Sequence, residues 1–172
     1  MPMIPFIERF PALGARETRS VTVTNRDDLP DGDYGFIELY CDEPHCDCRR
    51  VIVVVLRPET GANKPWATIS YGWESEEFYE KRAGEPAGDQ TSWQGPYLET
   101  MGTQSRYAPA LMDLFKFLLQ SPDYLQRLKR HYQLFRGTVE KDSASSNSQQ
   151  PPSPLSKSRR DRDRSRLPRG SK

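Results

Sequence analysis

Residues 34–57 read Tyr-Gly-Phe-Ile-Glu-Leu-Tyr-Cys-Asp-Glu-Pro-His-Cys-Asp-Cys-Arg-Arg-Val-Ile-Val-Val-Val-Leu-Arg. Two strand-like runs bracket a cysteine cluster. In the first, Tyr34 to Cys41, alternation puts Phe36, Glu38 and Tyr40 on one face and Ile37, Leu39 and Cys41 on the other. The second, Arg49 to Arg57, is a nearly unbroken Val/Ile run. Such a run predicts a central strand buried on both faces. Consecutive strands with a short connection pair antiparallel, because a parallel pair needs a long crossover. The cysteine cluster is then the tip of a hairpin.

Working outward, residues 18–24 alternate β-branched and polar side chains and predict a short strand. Asp27 to Asp33 stacks turn residues, and Trp66 to Tyr71 predicts a further strand. The pattern then changes. Ser75 precedes Glu76–Arg82, a short helix with acids leading and bases trailing, as the helix dipole favours. Residues 84–105 are rich in Gly, Pro, Ser and Thr and predict an irregular loop anchored by Trp93 and Tyr97. Pro109 to Leu119 is an amphipathic helix. Ser121-Pro122-Asp123 starts a second one, expected to run to about Phe135 and stop at Gly137. The fold class is therefore α+β: an antiparallel β-meander with a zinc-stabilised hairpin tip and helices packed on one face. A single domain is expected over residues 1–137, followed by a disordered polar and basic tail over 138–172.

The tail differs from the rest in charge. From Lys141 to Lys172 nine Lys/Arg face three Asp, a net of +6. The whole chain carries +1, which leaves −5 for residues 1–140. Between 141 and 172 only Ala144, Leu155 and Leu167 are apolar, too few to offset ordering entropy. The Ser-Arg and Asp-Arg pattern over residues 156–166 resembles the arginine–serine segments of RNA-associated proteins, so nucleic-acid contact through the tail is one expectation. A solubilising tail is the plainer one. No run approaches the roughly 18 apolar residues of a membrane span. The N-terminus is apolar but short and proline-broken, unlike a signal peptide. Closely spaced cysteines without a secretion signal favour thiolate ligation in a reducing, cytoplasmic setting.

Cys41, Cys46 and Cys48 are all the cysteines of the chain, and His45 lies among them. Structural zinc takes four ligands, commonly Cys or Cys with His. Residues two apart in an extended stretch point the same way, so Cys46 and Cys48 can face one ion. His45 is adjacent to Cys46 and tends to diverge, although a tight turn could bring it in. His131, the other histidine, shares a helical stripe with Tyr124, Leu128 and Phe135. An inward imidazole needs a partner, and zinc at the hairpin tip would be one. The expected ligand set is Cys41, Cys46, Cys48 and His131, with His45 as the alternative fourth ligand and Asp47 or water behind it. Without metal the three cysteines are buried small hydrophobes or redox thiols, and His131 is a core residue. An iron–sulfur cluster usually wants four cysteines. An open zinc site with Asp42 or Glu43 as base would make a metal-dependent enzyme.

The stretch from Tyr34 to Val51, together with Leu128-Lys-Arg-His-Tyr132, resembles a family of uncharacterised bacterial proteins over residues 30–136. The resemblance implies a bacterial setting and carries no established activity. Cys46-x-Cys48 also resembles short SEC-C-type zinc motifs, whose second Cys-Cys or Cys-His pair is absent here. The expected function is a non-enzymatic, zinc-stabilised interaction module with a protein partner.

Overall fold

The computed structural model describes residues 2–60, 64–83 and 93–147. The chain opens with β1 (Met3–Pro5), α1 (Phe6–Arg9), α2 (Pro11–Glu17) and β2 (Arg19–Val23). The two strands bracketing the cysteines follow as β3 (Gly32–Cys41) and β4 (Arg50–Leu56). Then come β5 (Ala67–Gly72), α3 (Glu76–Ala83), β6 (Gly95–Leu98), α4 (Ala108–Leu119) and α5 (Pro122–Asn147). The six strands form one antiparallel sheet, and β2 to β6 are a meander.

β4 is central, as its Val/Ile run suggests, but it is not buried equally on both faces. Val51, Val53 and Val55 are fully buried, whereas Ile52, Val54 and Leu56 are half-buried. The reason is that α4 and α5 cover one face. On that face Phe36 stacks on Phe115, Tyr40 packs on Phe135, and Phe115 meets Tyr71 and Tyr124 edge-on.

Two elements escape the sequence reading. The N-terminal segment is structured: β1 and β2 lie end to end along the outer edge of β3, Met3 opposite Cys41 and Val23 opposite Gly32. The chain leaves that edge at Pro5 and returns at Arg19 through α1 and α2, which pack tightly enough to require glycine. A Cβ on Gly14 would sit 2.7 Å from the Ile7 Cα. The expected irregular loop also contains β6, paired to β5 with Leu98 opposite Ile69. Its anchors do hold: Trp93 packs on Tyr79 and under the Arg50 guanidinium, and Tyr97 bonds Arg50. Residues 84–92 of that loop lie outside the described residues.

The stop expected at Gly137 is also corrected, since α5 runs through it to Asn147. One exposed glycine costs a helix only about 1 kcal/mol. The buried stripe Tyr124, Leu128, His131, Tyr132 and Phe135 continues to Val139, and Glu140 and Asp142 make ion pairs beyond it. Packing therefore outweighs the local signal. The proposed disordered tail lies, from residue 148 on, outside the described residues. Among the described residues, no helix is long and apolar enough to cross a membrane.

A Cβ at Gly137 would meet nothing within 4 Å. Gly137→Ala is therefore expected to stabilise the protein by about 1 kcal/mol, measured by urea unfolding. Destabilisation would mean that the helix does not continue through this position.

Candidate metal centre

Cys41 ends β3, and Cys46 and Cys48 lie in the loop before β4. The three Sγ atoms all fall within 4.8 Å of one another. Cys41 and Cys48 have no solvent exposure and Cys46 is 7% exposed, and none forms a disulfide. A tight turn brings them together, with the Cys46 N–H bonded to the Glu43 carbonyl at 3.2 Å. His45 and Arg49 take left-handed φ values of 60° and 43°. For residues other than glycine this costs roughly 1–2 kcal/mol each. Such strain persists where surrounding contacts over-determine it.

The sulfurs receive hydrogen bonds from the Glu43 N–H onto Cys41 at 3.5 Å and from Arg82 Nη2 onto Cys46 at 3.4 Å. Burial pushes the Cys48 thiol up to about 12, and the neighbouring Cys46 and Cys41 push the same way. Burial likewise raises Cys41. Thiolates crowded together repel, and a divalent cation among them reverses that sign. In a tetrahedral site with Zn–S near 2.3 Å the sulfurs stand about 3.8 Å apart, a spacing compatible with sulfurs that all lie within 4.8 Å of one another.

α5 braces this loop. Arg136 Nη1 donates to the Glu43 carbonyl at 2.8 Å and the Cys41 carbonyl at 3.4 Å, and the same guanidinium pairs with Glu140. Glu140 accepts the His45 N–H at 2.9 Å and faces His45 Nδ1 at 3.0 Å. The Tyr132 hydroxyl accepts the Arg49 N–H and donates to Asp47. Asp47 is held below the usual carboxylate range, first by its 3.0 Å bond from Arg49. Arg9 joins in through Asp42 and Asp142. Beside Cys46 a cleft of about 330 Å³ opens, lined by His45, Asp47, Tyr132 and Arg136.

The structure brings the three cysteines together and places His131 elsewhere. His131 is 1% exposed, and both of its ring nitrogens face carboxylates: Nδ1 to Glu38 Oε2 at 2.6 Å and Nε2 to Glu17 Oε2 at 3.0 Å. Phe6 stacks on the ring at 4.0 Å. The inward imidazole does need a partner, and carboxylates supply it rather than a metal at the hairpin tip. The Tyr40 hydroxyl lies 2.9 Å from Glu38 Oε2 and 3.0 Å from the Leu128 carbonyl. Burial works to raise the Glu17 carboxyl, but the His131 bond, Arg130 and Arg16 outweigh it and hold it below its ordinary value. The sequence signal for this group was Glu38 itself, a carboxylate between Phe36 and Tyr40 on the core face. His45, the alternative ligand, is on the cysteine loop, but its exposed ring lies outside the sulfur cluster.

No protein-family model, curated protein or solved structure matches the chain.

Leaving a buried polar group without its hydrogen-bond partner costs about 1–3 kcal/mol. His131→Ala is expected to lose about that much in urea unfolding, because Glu38 stays buried without its imidazole. A loss below about 1 kcal/mol would show that Glu38 and His131 are not coupled.

Proposed function

We propose that the chain is a non-enzymatic interaction module whose cysteine hairpin is stapled by a structural zinc on Cys41, Cys46 and Cys48. The single observation behind this reading is the cluster of three buried sulfurs within 4.8 Å of one another. Zinc suits a thiolate-rich set and neither needs nor performs redox chemistry. Three thiolates and Zn²⁺ sum to −1, and the Arg82 guanidinium at Cys46 offsets that charge. The fourth ligand in this proposal is His45. Glu140 engages its Nδ1, the kind of carboxylate–imidazole pairing that accompanies metal-bound histidines. The buried sulfurs fit a staple better than a reaction centre. The function that follows is display of a surface for a protein partner in a reducing, cytoplasmic setting.

Zinc at a hundredfold excess over its dissociation constant stabilises a native state by about 2.7 kcal/mol. Thermal unfolding of the reduced protein should shift upward by several degrees with zinc and return with a chelator. Cys48→Ser should abolish the shift. His45→Ala should weaken zinc binding, whereas His131→Ala should leave it unchanged. An unchanged melting temperature with zinc would overturn the reading, and an effect of His131→Ala with none from His45→Ala would reassign the fourth ligand.

A further inference from the structure

At the opposite end of α5 from the cysteine loop lies a cleft of about 470 Å³, within the usual 300–1,000 Å³ range of small-ligand sites. Arg19 at the start of β2 and Arg127 on α5 line it, with Phe117 as an aromatic wall and Ser121 at the start of α5. Four features converge on one ligand chemistry. Among the described residues, neither arginine has a carboxylate within ion-pair distance; half-buried Arg127 differs in this from Arg9 and Arg136, which are half-buried and paired. Tyr124, also lining the cleft, is 4% exposed, and its hydroxyl has no hydrogen-bond partner among the described residues. The Nε of Arg127 is likewise buried and unpartnered. Phe117 is 65% exposed, an aromatic surface left open beside two cations.

A buried hydroxyl without a partner costs about 1–3 kcal/mol, and an arginine fork matches carboxylate and phosphate geometry. The start of a 26-residue helix adds positive potential. Asp123 is the one acid on the rim, so the lining carries two positive charges against one negative. The Arg127 guanidinium already stacks on Tyr124 at 4.9 Å, which orders it toward that wall.

We propose that this cleft binds a small organic anion, a phosphate or carboxylate joined to an apolar ring, with Arg19 and Arg127 holding the anionic group and Phe117 the ring. The site is independent of the cysteine loop and does not depend on zinc.

The test is an NMR titration of the full chain with phenyl phosphate, benzoate and the neutral benzyl alcohol, with and without zinc. Saturable shifts at Phe117, Ser121 and Tyr124 are expected with at least one anion and not with benzyl alcohol. The tighter of phenyl phosphate and benzoate assigns the anionic group. Arg127→Gln should weaken binding about tenfold, the value of one charge-assisted hydrogen bond. Arg19→Gln should do the same, and its exposed position keeps the test valid if Arg127→Gln fails to fold. Saturation by neither anion, equal binding of benzyl alcohol, or unchanged affinity in a folded Arg19→Gln variant would each overturn the proposal.

Discussion

Three thiols buried at one point must either keep their protons or share a cation, and the shape of residues 41–49 follows from which they do. Protonated, the sulfurs make only weak S–H contacts, and each neighbour makes ionisation of Cys48 harder. The loop around them holds two left-handed residues, His45 and Arg49, and offers little apolar side-chain area besides the sulfurs. An ion bound by all three would replace that weak packing with strong bonds and account for the strained turn. The cost of the backbone conformation would then be offset by ligation.

α5 ties this loop to the rest of the core. Its middle carries His131 into the Glu38–Glu17 group, and its next turns send Tyr132, Arg136 and Glu140 to the cysteine loop. β3 meets it at both places, with Glu38 facing His131 and Cys41 three residues on. The helix and the strand therefore share two polar anchors separated by apolar contacts of Tyr40 and Phe135. Polar anchors of this kind fix register, because a shifted helix would leave Glu38 buried without its imidazole. Arg136 and Glu140 thus tie the cysteine loop to the C-terminal half of α5.

The sheet was legible because its signals are local. Alternation in Tyr34–Cys41 and the valine run gave β3 and β4, and the proximity of the cysteines followed from the hairpin. What sequence did not reveal depends on contacts between distant residues. β1 exists because Met3–Pro5 finds a free edge on β3, and β6 because Leu98 reaches Ile69. Gly137 reads as a stop, yet Val139 still has a core to enter. The pattern correctly turned His131 inward, and its alternation put Glu38 on the same face as Phe36 and Tyr40, which is the buried one. Pairing the two across 93 residues required the crossing of α5 over β3, which no spacing rule encodes. Glu17, the second carboxylate, arrives on an N-terminal helix that carries no strong periodic signal.

The most direct measurement is X-ray absorption at the zinc edge on the full reduced chain loaded with one equivalent of zinc. Three sulfur ligands at about 2.3 Å and one lighter ligand are expected. A shell of nitrogen and oxygen alone, or zinc that stays in solution, would contradict it and return Cys41, Cys46 and Cys48 to the role of ordinary buried thiols.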